Sequence, residues 1–124
     1  MQIEFNYHIN AKVAIIISEE LIINELQDAI DIIAEVSYND SECIIMKEKH
    51  FSPLFFDLKS GLAGDILQKF SNYKMRLFII GDFSKFKSKS LQDFIRESNK
   101  YKLVNFISDS KEAFEILSKN SLTF

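Results

Sequence analysis

Four short apolar runs, at 13–17, 43–46, 75–80 and 103–107, are each followed by a stretch whose apolar residues recur every three or four positions. Runs of four to six residues rich in Ile and Val read as buried strands, and the 3.6-residue period between them reads as helices packed on the resulting sheet. Ahead of the first run, residues 3–9 alternate Ile3, Phe5, Tyr7 and Ile9 against Glu4, Asn6 and His8, the period of a half-buried strand. A tight turn at Asn10-Ala11 then pairs that strand antiparallel with 13–17, which is expected to be covered on both faces.

The helices carry their own start signals. Ser18 followed by Glu19-Glu20 predicts a helix to about Val36, with Ile22, Leu26, Ile30 and Ile33 inward and the acidic Glu25, Asp28, Asp31 and Glu35 outward. Pro53 after Ser52 predicts a short turn through Phe55-Phe56. Leu62, Ile66, Leu67 and Phe70 define a helix ending near Asn72, in which Ala63 and Gly64 allow close approach to the sheet. Ser90 with Asp93, and Asp109 with Glu112, have capping-box spacing, opening helices with core faces Leu91, Phe94, Ile95 and Ala113, Phe114, Ile116, Leu117. Residues 121–124 are expected to fray. The order is β-β-α-β-α-β-α-β-α: one α/β domain over 1–124, its sheet mostly parallel with an antiparallel N-terminal hairpin strand.

The chain has 124 residues, 47% of them hydrophobic, with three Gly and one Pro, which excludes a disordered chain and fits one core. The single Cys43 excludes an internal disulfide and a cysteine-rich zinc site and suits a reducing compartment. With no signal-peptide pattern and no apolar run near the roughly 20 residues of a membrane span, a cytoplasmic protein without membrane contact is expected. Net charge is −3, yet residues 1–57 hold eleven acids against three lysines while 58–124 hold twelve basic residues against seven acids. In a single domain that asymmetry makes a dipolar surface. The basic loop from Phe83 to Lys89 interleaves lysines with Phe83 and Phe86, but two arginines and an acidic total argue against nucleic-acid binding.

Open α/β sheets bind ligands beyond the carboxyl ends of their parallel strands. That rule selects His50, Asp57, Ser60 and Gly61 after the third strand, Gly81, Asp82 and Ser84 after the fourth, and Ser108 and Asp109 after the fifth. Asp, Ser and Gly at such junctions are commonly caps and turn residues. No Ser-His-Asp spacing, metal-ligand spacing, phosphate loop or dinucleotide fingerprint is present, so no catalytic set, metal or cofactor is expected. Two readings follow. One is a protein-interaction module whose surface is formed by the loops 57–64 and 81–89. The other is a small-ligand binder or hydrolase-type enzyme with a pocket near His50, Asp57 and Ser60, lined also by Asp82 and Asn99. The first strand carries few charges to discourage edge pairing, which opens a homodimer through it.

The segments 55–70, 77–84 and 88–99 resemble the bacterial domain-of-unknown-function family 4180, a resemblance that covers nearly the whole chain. More distantly, Ser60-Gly61-Leu62 before a helix and Gly81 at the end of the next strand are similar to STAS domains, the anti-sigma-factor antagonist fold. That likeness implies a STAS-like α/β fold, a protein partner, and a serine before the glycine, here Ser60, that a kinase phosphorylates to switch binding. Asp57, Gly61, Gly64, Gly81, Asp82, Ser84 and Asn99 would then form the partner or ligand surface around it.

Overall fold

The computed structural model describes residues 1–8 and 11–121. The expected turn at Asn10-Ala11 and the end of the strand at Ile9 run into residues outside that description, as does the terminal segment from Leu122 on. Five strands, β1 (Gln2–His8), β2 (Ala11–Ile17), β3 (Cys43–Lys47), β4 (Arg76–Ile80) and β5 (Val104–Ile107), form one sheet in the order β1-β2-β3-β4-β5. β1 and β2 are antiparallel and the remaining neighbours are parallel, as the sequence predicts.

Each parallel strand is added on the same side of the one before it. Right-handed crossovers then place all three connecting helices on one face. These are α1 (Leu26–Tyr38), α2 (Leu62–Asn72) and α3 (Lys89–Asn99). Their inward residues Ile32, Ile33, Val36, Ile66, Phe70, Leu91 and Ile95 pack with Ala14, Ile44, Met46, Leu77, Ile79 and Phe106 from that face. Among the described residues no strand follows β5, and α4 (Ser110–Ser121) returns across the opposite face. There Ala113 and Leu117 cover Val13, Cys43, Ile45, Phe78 and Ile107. The far end of α4 reaches β1, where His8 Nε2 and Ser118 Oγ are hydrogen-bonded at 2.7 Å and the His8 ring lies 4.9 Å from Phe114. His8, expected to face outward, is thus a contact of α4.

Several local expectations need correction. Ser18 does not cap α1: its hydroxyl accepts the Glu20 amide in a loop, and the helix opens eight residues later at Leu26, where Asp28 Oδ2 accepts the amides of Asn24 and Glu25. Ile22 and Ile23 have helical spacing, but Ile23 is held extended by a bridge to Phe51, which buries it fully. α3 is capped by Ser88, which accepts from Leu91 N, rather than by Ser90. Gly64 is exposed, and a β-carbon there would touch nothing within 4 Å, so the close approach to the sheet belongs to the buried Ala63 alone. β2 is not covered throughout, because Ile17 at its end is 43% exposed. The buried face of α1 is Ala29, Ile32, Ile33 and Val36, so of the expected inward residues Ile33 is the one buried within the helix. Other expectations hold: Ser52 caps a short 3-10 turn at Pro53–Phe56, α2 ends at Asn72, and Asp109 Oδ1 accepts the Glu112 amide at the start of α4.

Candidate functional site

Beyond the carboxyl ends of β3 and β4 the chain makes four short 3-10 turns, at Glu48–His50, Pro53–Phe56, Leu58–Ser60 and Phe83–Lys85. The two loops that carry them are held together by aromatic packing. Phe56 stacks on Phe86 at 4.9 Å with 17° between ring planes and lies 6.2 Å from Phe83, while the fully buried Phe55 anchors the cluster on Phe51 and Phe106. Face-offset and edge contacts of this kind add about 0.5–1.5 kcal/mol each beyond the area they bury. Phe83 and Phe86 are thereby occupied with each other and with Phe56. Glu48 adds a polar tie by pairing with Lys85 across the same seam.

Gly81 is what lets the seam close. A β-carbon at that position would lie 2.8 Å from Glu48 Cβ and Oε1 and 3.1 Å from Phe83, so only a glycine admits the Glu48 turn against the end of β4. Gly61 is needed for a different reason. Its φ of +78° is left-handed, and the residue reverses the chain between the Leu58–Ser60 turn and α2 with open space around it. The turns from Glu48 to Phe56 therefore lie beside the loop at 81–89, and the loop at 57–64 continues directly from them into α2, so that the three segments form one rim.

Most of the polar candidates on this rim are spent on the backbone. Asp57 Oδ1 accepts from Lys59 N, and Asp82 Oδ1 accepts from both the amide and the hydroxyl of Ser84. Those two bonds from Ser84 hold the exposed Asp82 carboxyl below the ordinary range, which keeps it ionised. Ser60 is exposed; its hydroxyl donates to Leu54 O at 2.6 Å and accepts the Leu62 amide at 3.2 Å, so it stitches the preceding turn to the first turn of α2.

His50 is a structural residue. It is fully buried, its Nδ1 accepts the Lys47 amide at 3.0 Å, and its Nε2 donates to Ser18 O at 2.9 Å, tying the end of β2 to the end of β3. Burial, aided by the nearby Lys49 and Lys47, pulls its pKa below the ordinary histidine range and favours the neutral ring that this bonding pattern needs. Both ring nitrogens are thus taken by backbone groups, and the hydroxyl of Ser60 by others. The pocket expected to gather His50 with Asp57 and Ser60 as a nucleophile and base is not formed, because their polar atoms serve different turns.

Asn99 also leaves the rim. Its Oδ1 accepts Phe106 N at 2.7 Å and its Nδ2 donates to Phe106 O at 3.2 Å, so the side-chain amide stands in for a neighbouring strand along the outer edge of β5. A pocket of ≈260 Å³ lies at the seam itself, lined by Glu48, Phe51, Pro53, Phe56, Lys85 and Phe86, and a wider concavity lies one strand further over, between the ends of β4 and β5. There α3 leaves to one face of the sheet and α4 to the other, which opens a crevice beyond the carboxyl ends of the strands, where open α/β sheets bind ligands. A cleft of ≈480 Å³ opens at this point, lined by Gly81, Asp82, Phe83, Phe106, Ser108 and Glu112 among others. Glu112 Oε2 accepts from both the amide and hydroxyl of Ser108. Glu112 was legible only as a capping residue, and its place in the cleft depends on α4 crossing to the second face. Among the described residues no group of three or more His, Cys, Asp or Glu is arranged to hold a metal ion, and no helix is long and apolar enough to cross a membrane.

The chain belongs to the family described as Domain of unknown function (DUF4180), whose family model matches residues 8–117. No curated protein and no solved structure matches it.

Proposed function

We propose that this protein is a regulatory protein-interaction module whose partner surface is the rim formed by 57–64 and 81–89, with Ser60 as its charge-gated switch. The observation that supports this reading is the position of Ser60: exposed on an aromatically braced rim, with one hydroxyl linking two backbone turns. Phosphorylation would replace the proton that Ser60 gives to Leu54 O, so that bond is lost. It would also add close to two negative charges between Asp57 and Asp65, an arrangement that repels, beside the amides of the first turn of α2, which attract. The rim would change in charge and in local conformation together. The switch itself rests on the likeness of Ser60-Gly61-Leu62 to anti-sigma-factor antagonists.

A test is the phosphorylation state of the protein purified from its native cells, read by intact mass and fragment spectra. Phosphate on Ser60 supports the switch; an unmodified Ser60 across growth conditions, or phosphate confined to other residues, removes it. A second reading, small-ligand binding, draws on the cleft between β4 and β5. It predicts that a ligand screen followed by NMR perturbs Asp82, Ser108 and Glu112 and leaves His50 and Ser60 unmoved.

A further inference from the structure

The sheet has two edges, and the chain treats them differently. β5 is sealed along its outer side by α3: Ser98 Oγ donates to Val104 O at 2.5 Å, and Asn99 takes both the amide and the carbonyl of Phe106. β1, the other edge, has no such cover among the described residues. Unpaired edges are templates for another strand unless charge, proline or a covering element blunts them. β1 contains no proline, no lysine and no arginine, and one acidic residue, Glu4.

The register shows which groups are free. Lys12 O points toward β3, where Ser41 Oγ donates to it at 2.7 Å. Carbonyls alternate sides along a strand, so Val13 and Ile15 turn toward β1, and their partners Asn6 and Glu4 turn back toward β2. Ile3, Phe5 and Tyr7 are left with their amides and carbonyls directed outward, three donors and three acceptors in a row.

We propose that this edge pairs with β1 of a second copy of the chain, antiparallel about a two-fold axis at Phe5, to give a continuous ten-stranded sheet. That register places Phe5 opposite Phe5 and Ile3 opposite Tyr7 in both halves. Each facing pair exchanges two hydrogen bonds, so all the outward groups of both copies are used. A shift of two residues either way leaves some of them unpaired. The side chains agree with the same register. Phe5 and Ile3 already pack at the margin of the core, and the pairing lays the 78%-exposed Tyr7 against the partner's Ile3. On the opposite face Glu4 meets Asn6 and Gln2 meets His8, so no like charges are opposed directly. A two-fold contact of one strand with itself is closed and isologous, which ends the assembly at a dimer.

The test is sedimentation equilibrium of the full chain over a concentration series, together with hydrogen exchange of the β1 amides. The expected result is a monomer–dimer equilibrium in which the amides of Ile3, Phe5 and Tyr7 gain protection as the dimer fraction rises. Those of Glu4 and Asn6, bonded within the chain, stay protected throughout. Tyr7→Pro removes one outward amide from each copy, two hydrogen bonds in the dimer, and should weaken association roughly thirtyfold. Should that variant misfold, Asn6→Glu and Asn6→Lys decide. The first sets an acid opposite Glu4 twice and should loosen the dimer, whereas the second should tighten it. A monomer at every concentration up to about 1 mM overturns the proposal. So does a dimer that ignores these substitutions or leaves the amides of Ile3, Phe5 and Tyr7 in free exchange.

Discussion

His50 offers the sharpest check on the packing around the rim. Its ring accepts from Lys47 N and donates to Ser18 O while fully buried, a pattern that only the neutral tautomer with the proton on Nε2 can satisfy. Removing the ring in His50→Ala leaves the part-buried Lys47 amide and Ser18 carbonyl without partners at about 1 kcal/mol each, the low end because water can reach them in part, and adds a cavity. The sum, about 2–4 kcal/mol, is a large share of the 5–15 kcal/mol typical of a domain. Acid should reproduce part of that loss in the wild type. Because the folded pKa lies below the unfolded value, the unfolded chain takes up a proton that the native state refuses. Stability conferred by the neutral ring is therefore complete above the ordinary histidine pKa and falls as pH drops below it, by up to about 1.4 kcal/mol per pH unit, until the folded pKa is reached. Urea unfolding of wild type and His50→Gln between pH 8 and pH 5 isolates this contribution, since glutamine offers a donor and an acceptor but does not titrate. The difference between the two proteins should shrink steadily below about pH 6.5. Parallel pH profiles, or a His50→Ala variant that loses less than about 1 kcal/mol, would show that the ring is not a buried neutral bridge.

Gly81→Ala should destabilise by about 1–3 kcal/mol in urea unfolding, because the new methyl collides with Glu48 close to its backbone; a neutral result would mean that the seam between the loops is looser than described. Asn99→Ala exposes the Phe106 amide and carbonyl, and should both lower stability by about 1–3 kcal/mol and raise concentration-dependent light scattering from the opened β5 edge. Unchanged stability and scattering would contradict its role as a strand surrogate. Cys43 faces the α4 side of the sheet, where burial outweighs the neighbouring Arg76 and pushes the thiol up to about 12. It should resist a thiol reagent at pH 8 in the native protein and react promptly in urea; fast native labelling would contradict its burial.

What the sequence disclosed followed the range of the interactions involved. The strand runs, the α2 period and the Ser52-Pro53 turn are set by residues close in the chain, and each lies where the pattern places it. The start of α1 was misplaced because Ile22 and Ile23 satisfy a helical period, whereas a bridge to Phe51, 28 positions on, holds Ile23 extended. The roles of His50 and Asn99 were hidden for the same reason: their partners are backbone groups of other elements, which no spacing rule names. The junction rule did find the rim, through Asp57, Ser60, Gly81 and Asp82. It overlooked the cleft residue Glu112, whose place is set by α4 taking the second face of the sheet. Phe83 and Phe86 are interleaved with lysines as a nucleic-acid stacking patch would be; in the fold they stack on Phe56 and on each other.

The regulatory reading stands or falls on whether charge at Ser60 changes what the rim holds. Tagged wild type, Ser60→Ala and Ser60→Asp, each shown to be folded by thermal unfolding, are used to capture proteins from the native lysate, and the bound proteins are quantified by mass spectrometry. The expected result is a specific protein retained by wild type and Ser60→Ala and lost or exchanged by Ser60→Asp, with retention also abolished by a substitution elsewhere on the rim such as Lys87→Glu. Identical capture by all three forms, or no specific protein with any of them, would contradict a charge-gated interaction surface and leave the cleft between β4 and β5 as the place to look for function.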